Sequence, residues 1–167
     1  MNKKILVIIF LSWTTNKLTA CSCGGRSLIR DEIKNSDVVL VGTILNEETK
    51  ILEGPPIMKF SMTEGKKKMS PQHFQTIRYR LLIESVYKGK ISRDTVTIIS
   101  GVGGGDCGIG FEVGEKYIVY GTKKSFFGQP IEKNAYWTDM CTRTTRNDQT
   151  EIDDIEKFVT KKKRKMK

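Results

Sequence analysis

The chain has 167 residues and a mass of 19.0 kDa, which suits one globular domain and is too short for two of ordinary size. Basic residues outnumber acidic ones by 29 to 19, giving a net charge of +10. The single histidine, His73, argues against a histidine-rich metal site and leaves one imidazole for acid–base chemistry. These counts argue against most classes of enzyme.

The first twenty residues have the pattern of an export signal. Two early lysines precede an apolar run from Ile5 to Trp13, and small residues lead up to Cys21. The run is too short to span a membrane as a helix. Cleavage before Cys21 would leave 147 residues and, because three lysines are removed, a charge of +7. We therefore predict a signal peptide over residues 1–20 and a secreted or periplasmic protein, whose oxidising surroundings favour disulfides.

Residues 18–21, Leu-Thr-Ala-Cys, also fit the bacterial lipoprotein signal, in which the cysteine itself is lipidated after cleavage. The protein would then be lipid-anchored at the cell envelope through Cys21. Two features argue against lipidation: polar residues 14–17 separate the apolar run from the cut, and a lipidated Cys21 would leave three cysteines, an odd number.

The segment from residue 21 to residue 160 has the pattern of a mainly β domain flanked by two short helices. In chain order the predicted elements are a helix over Ser27–Lys34, strands over Asp37–Leu45, Phe74–Tyr87, Thr95–Ser100, Lys116–Tyr120 and from Ala135 toward Cys141, and a helix over Glu151–Thr160. Gly42 predicts a bulge or kink in the first strand, and Thr150 or Asp148 is expected to cap the last helix. About five strands predict a small closed or half-closed barrel.

Two segments fall outside this pattern. Glu47–His73 contains three of the four prolines and the run Lys66–Lys68, and its apolar residues follow neither a helical nor a strand period. We predict a long loop or hairpin there, of the kind that is usually either functional or disordered. Residues 161–167 are basic at six of seven positions and are predicted to form a basic tail.

The sequence carries no convincing catalytic or metal-binding motif. Gly101–Asp106 is rich in glycine but lacks the Gly-Lys-Ser/Thr ending of a P-loop. One Cys-x-Cys followed by two isolated cysteines does not match the paired Cys-x-x-Cys of zinc ribbons. His73 would need a free thiol to form a protease pair, which an exported protein seldom keeps. We therefore expect no enzyme, no cofactor and no intrinsic metal, and a glycine loop that lets Cys107 approach the amino terminus.

The remaining feature is the predicted new chain start, Cys21-Ser22-Cys23. Four cysteines permit two disulfides in three connectivities. A bridge from each of the first two cysteines to a distant strand end would hold the first three mature residues against the barrel. Stability alone does not require two anchors within three residues, so this spacing indicates a rigidly displayed chain start.

These residues, taken in order, resemble the netrin-like modules and, among them, the inhibitory domain of the tissue inhibitors of metalloproteinases. The matching segments are Cys21–Cys23, Ser36–Gly42, Tyr79–Gly89, Cys107-Gly108, Phe111–Tyr120 and Cys141–Thr144. The resemblance covers most of residues 21–145 and depends on the order of the segments and the placement of the cysteines. It implies an OB-fold, a five-stranded barrel with flanking short helices, and the disulfides Cys21–Cys107 and Cys23–Cys141.

The resemblance also implies a function. In the animal inhibitors the α-amino group and carbonyl of the first cysteine chelate the catalytic zinc of the protease. Here these are the backbone groups of Cys21, with Ser22 pointing into the specificity pocket beside the zinc. The resemblance thus implies Cys21, Ser22 and Cys23 as the protease-binding residues. An α-amino group has a pKa of ~7.7–8.0, so it loses its proton at little cost near neutral pH. The expected partners are therefore zinc metalloproteases.

A second interpretation is a non-inhibitory binding or scaffold module of the cell envelope, interacting with polyanions or proteins. Its basis is the +7 mature charge together with the basic runs Lys66–Lys68 and Lys161–Lys167. An exported protein seldom meets nucleic acid, so no nucleic acid partner is expected. A membrane is a partner only if Cys21 is lipidated.

Overall fold

A computed structural model describes residues 21, 23–61, 66–125 and 127–165. The predicted signal peptide, residues 1–20, and Ser22 lie outside the described residues. In chain order the elements are α1 (Ile29–Asn35), β1 (Val38–Ser61), β2 (Lys66–Lys88), β3 (Thr95–Gly101), β4 (Lys116–Gly121), β5 (Ala135–Trp137), β6 (Thr145–Arg146) and α2 (Gln149–Lys165). The mainly β architecture with two helices, predicted from the sequence, is confirmed for this part of the chain.

The named strands belong to one six-stranded sheet in the order β5-β3-β2-β1-β4-β6. Neighbouring strands are antiparallel except β3 and β5, which run parallel. The sheet is open, with β5 and β6 at its edges, so its ladders do not form a closed five-stranded barrel. The sixth strand, β6, has only two residues, which is too short to produce a periodic signal in the sequence.

Strands β1 and β2 form a hairpin that extends well beyond the rest of the sheet. They pair along nearly their whole lengths, whereas β4 covers β1 only over Val38–Thr43 and β3 covers β2 only over Thr76–Leu82. The described residues of the segment 47–73, for which the sequence allows a loop or a hairpin, therefore lie within the paired strands of a hairpin. Its irregular pattern has a physical cause: Pro55 and Pro56 lack a backbone donor, and the pairing shifts register beside them.

Gly42 lies at another register shift of β1, where the sequence predicts a bulge or kink. A Cβ atom at this position would lie 2.2 Å from the carbonyl oxygen of Leu82 and 2.3 Å from the side chain of Leu81. Only glycine therefore lets β2 pass this close, and the predicted irregularity in β1 is present as a register shift.

Two main apolar clusters lie on opposite faces of the first strand. Val38 and Leu40 belong to one cluster, which fills the space enclosed by the sheet, and Val39 and Val41 belong to the other, which lies under the helices. The second cluster consists of Ile33, Val39, Val41, Ile118, Tyr120 and Ile155. Because both faces of β1 are covered here, its sequence is a continuous apolar run rather than an alternating one.

Helix α2 is longer than the predicted helix. It begins after Asp148, whose Oδ1 accepts a hydrogen bond from the backbone of Thr150 at 2.9 Å, so Asp148 is the capping residue. It continues to Lys165, through the first five residues of the predicted tail, because lysine and arginine favour helix even where no apolar stripe is needed for packing. Within the described part of the chain, no helix combines the length and apolar character needed to cross a membrane.

Candidate functional site

Cys21 and Cys23, at the predicted chain start, are bonded to two neighbouring loops by disulfides. Cys21 is linked to Cys107 and Cys23 to Cys141, with Cα–Cα distances of 5.3 and 5.2 Å. This is the pairing that the resemblance implies. The two loops are also joined to each other, because the backbone N–H of Met140 donates to the carbonyl of Cys107 at 2.9 Å. We call these four cysteines the amino-terminal clamp. Its two disulfides end on two loops that are hydrogen-bonded to each other.

The clamp also brings three sulfur atoms together. The sulfurs of Cys21, Cys23 and Cys141 lie within 4.8 Å of one another, a spacing that thiolates could use to bind a metal ion. Each of these sulfurs is already bonded in a disulfide, and a disulfide sulfur is not the thiolate that metals require. The grouping is therefore the contact between two adjacent disulfides.

The loop that carries Cys107 is shaped by the carboxylate of Asp106. Its oxygens accept hydrogen bonds from the backbone N–H groups of Val102, Gly103 and Gly108 at 2.8, 2.8 and 2.9 Å. These bonds hold Cys107 in the left-handed region, at a φ of 58°, which few residues other than glycine adopt. The N–H groups that a phosphate would need are used by this carboxylate, so the loop is a support for Cys107 and not a phosphate cradle.

Gly108 tests whether this loop packing matters. A Cβ atom at Gly108 would lie 2.2 Å from the carbonyl of Gly101, so we expect Gly108→Ala to displace the Cys107 loop and lower the free energy of unfolding by about 1–3 kcal/mol. Gly110→Ala is the matched control, since nothing lies within 4 Å of that site. Denaturant unfolding with the disulfides intact measures both variants. Equal stability of the two would contradict this account of the loop.

The loop that carries Cys141 is fixed by side chains just before it. Asp139 accepts hydrogen bonds from the backbone of Cys141 at 3.0 Å and from the indole N–H of Trp137 at 3.2 Å. The hydroxyl of Thr138, which is fully buried, is 2.7 Å from the hydroxyl of Thr144, which is also buried. The Cys141 loop is therefore tied to β5 on one side and to the segment before β6 on the other.

A buried charged cluster fastens the next part of the amino-terminal segment. The carboxylate of Glu151, on α2, is only 3% exposed and accepts hydrogen bonds from Arg143 at 2.7 Å and from the hydroxyl of Tyr120 at 2.6 Å. Arg26 reaches the same carboxylate at 3.2 Å, and Arg143 also donates to the carbonyl of Ser27 at 2.8 Å. One carboxylate thus joins α2, β4, the Cys141 loop and the residues that follow Cys23.

The charges of this cluster are set by its contacts. Burial alone would raise the pKa of Glu151, but the hydrogen bonds from Arg143 and Tyr120 lower its pKa below the ordinary value, so Glu151 is a carboxylate at neutral pH. Burial, followed by the contact with Glu151, raises the pKa of Tyr120, which keeps its phenol protonated as a donor. The cluster is not among the features predicted from the sequence. The available signal was that Glu151, four residues before Ile155, falls on the apolar stripe of the helix.

Exposed apolar side chains stand beside the clamp. Met140, next to Cys141, is 53% exposed, and Val102, which contributes an N–H to the Cys107 loop, is 47% exposed. Both side chains therefore lie in solvent next to the disulfide-bonded loops. His73, by contrast, pairs with Glu53 in the extended hairpin, and all four cysteines are oxidised, so no thiol is available to it.

No protein-family model matches the sequence, and no curated protein matches it either. Ser22, which the resemblance assigns to the specificity pocket, lies outside the described residues, as does the predicted cleavage site. The functional proposal therefore depends on the geometry of the clamp and its surroundings.

Proposed function

We propose that this protein is an exported inhibitor of zinc metalloproteases, of the netrin-like type, which presents the backbone of Cys21 to the enzyme. The observation that supports the proposal most directly is the clamp: two disulfides, two residues apart, tie the predicted chain start to two loops that are hydrogen-bonded to each other. Cleavage before Cys21 would free its α-amino group at a position whose backbone is already held.

The strand arrangement supports an OB-fold as the finer description of the domain. β1 lies between β2 and β4, and β3 pairs in parallel with β5, which is the strand order that an OB-fold barrel requires. Thr122, just after β4, and Trp137 of β5 exchange two backbone hydrogen bonds of 2.9 and 2.8 Å. This isolated bridge connects the end of β4 to β5, so the open sheet curls toward closure.

The chemistry of inhibition needs only main-chain atoms. The catalytic zinc of a protease keeps one coordination position for water or substrate, and an α-amino nitrogen with the carbonyl oxygen of the same residue can occupy that side of the metal. The amine loses its proton readily near neutral pH. Because Cys21 and Cys23 are held before the enzyme arrives, little conformational entropy is lost on binding. Met140 and Val102 would add apolar contact around the metal.

Extending the chain start tests this mechanism. The mature protein beginning at Cys21 is expected to inhibit the catalytic domains of zinc metalloproteases and not a serine protease. One alanine added before Cys21 turns the amine into an amide, and we expect inhibition to weaken by about hundredfold or more. The two proteins should unfold at the same denaturant concentration, which shows that the fold is unchanged. Equal potency of the extended and unextended proteins would contradict chelation by Cys21.

A further inference from the structure

A polar groove lies on the outward face of β1, β2 and β3. Its volume is about 480 Å³, and its walls are polar side chains of these strands together with the loops before β3 and before β5. None of its lining residues belongs to the clamp or to the two loops that the clamp joins. The groove is therefore a separate feature from the proposed inhibitory surface.

The groove holds more positive charge than its own acids neutralise. Five basic and two acidic residues line it. Both acids are already paired, Glu132 with Arg78 and Glu48 with Lys50. The other three basic side chains, those of Arg80, Arg93 and Lys133, are exposed and form no ion pair with any described residue. Three uncompensated cations facing one concavity attract an anionic ligand.

The backbone brings these three cations together and holds them in place. Arg80 on β2 is opposite Thr97 on β3. The N–H of Thr97 donates to the carbonyl of Asn134 at 3.0 Å, which joins the loop of Lys133 to the same strand. Arg93 lies two residues before the start of β3. Its neighbour Asp94 accepts a hydrogen bond from the N–H of Ile83 on β2 at 2.8 Å. The three cations thus come from chain segments that backbone hydrogen bonds join to the sheet, so little backbone ordering is needed when a ligand binds.

The chemistry of the lining selects the ligand class. The planar guanidinium groups of two arginines and the ammonium group of a lysine can donate hydrogen bonds to the oxygens of sulfate or phosphate esters. A single-stranded nucleic acid would need exposed rings on which its bases stack, and the one aromatic lining residue of the groove, Tyr79, is 1% exposed. We propose that the groove binds a linear polysaccharide that carries sulfate or phosphate groups. This proposal goes beyond protease inhibition and does not depend on it.

Matched charge variants test the groove. Binding of the mature protein to a heparin octasaccharide and to phosphorylated dextran is measured by isothermal titration. The groove variant carries Arg80→Gln, Arg93→Gln and Lys133→Gln. The control variant carries Lys90→Gln, Lys123→Gln and Lys161→Gln, which removes the same charge from exposed sites elsewhere. We expect the groove variant to lose about tenfold or more in affinity and to show a weaker salt dependence, while the control stays within about twofold.

Several outcomes would overturn the proposal. Equal losses in the two variants would show that binding follows net charge rather than the groove. Absence of binding to both saccharides, or equally tight binding of a single-stranded DNA of the same charge, would exclude the assigned ligand class. Circular dichroism of each variant checks the fold. Protease inhibition by the groove variant should be unchanged, so the two proposals can fail separately.

Discussion

Replacing Arg143 with methionine should lower the free energy of unfolding by about 3–5 kcal/mol, because it leaves a buried carboxylate without its main partner. Arg143 contacts both oxygens of Glu151 and also holds the carbonyl of Ser27. Arg26 keeps its 3.2 Å contact with Glu151, but its side chain is half-exposed and compensates only in part. Denaturant unfolding with both disulfides intact gives the change directly.

Arg146→Met is the matched control. Arg146 is also an arginine paired with glutamates, Glu112 and Glu115, but all three side chains are about half-exposed or more. Exposed pairs of this kind contribute little to stability. We therefore expect the unfolding midpoint of Arg146→Met to stay close to that of the unchanged protein. A similar loss in both variants would mean that burial of the Glu151 cluster is not what makes Arg143 important.

The acid dependence of stability identifies the same cluster independently. The pKa of Glu151 is lower in the folded protein than its ordinary value of ~4.3 in the unfolded chain. At pH values between the folded and unfolded pKa, Glu151 therefore binds a proton more readily in the unfolded chain than in the folded protein. The stabilisation is present above pH ~4.3 and is lost as the pH falls through the folded pKa. Glu151→Gln should reduce stability at neutral pH and flatten this acid limb. An unchanged acid limb would contradict the role given to the carboxylate.

The elements that the sequence predicts well are those that bury apolar side chains. Strand β4 was expected over Lys116–Tyr120 and ends one residue later, and five of its six residues are buried. The far part of the β1–β2 hairpin is different. Ile51 and Met69 are paired in this part of the hairpin and are exposed, so burial does not impose an alternating hydrophobic pattern there. Backbone pairing alone leaves little trace in composition.

The parts of the site were predictable to different degrees. The anchors at Cys21 and Cys23 could be predicted because the expected signal peptide implies an oxidising compartment, in which cysteines mostly form disulfides. The Glu151 cluster and the polar groove could not be predicted, because each brings together ordinary polar residues from distant segments. Arg80 and Lys133, for example, are 53 residues apart in the sequence and line the same groove only because of the sheet pairing. Such sites need the topology before they can be recognised.

Removing either disulfide of the clamp should cost nearly the same stability. The double variant Cys23→Ser with Cys141→Ser opens a loop closed over a separation of 118 residues, and Cys21→Ser with Cys107→Ser opens one of 86. Each double variant keeps the other disulfide, through which the ends of the opened loop remain joined by a path of about 36 residues, so the chain-entropy model gives a similar loss of about 3–4 kcal/mol for both. Thermal unfolding of the two double variants and the unchanged protein measures both losses.

The two double variants should differ in function where they agree in stability. Serine at position 21 keeps the α-amino group and the carbonyl that would bind zinc, but without Cys107 the first residue is held only through its neighbours. Ordering it on the enzyme then costs entropy, and we expect inhibition to weaken by more than about tenfold, measured at a temperature where the fold is intact. The Cys23–Cys141 variant keeps the first residue bonded and should lose less. If the Cys21–Cys107 variant inhibits as well as the unchanged protein, rigidity at the chain start is not what the clamp provides.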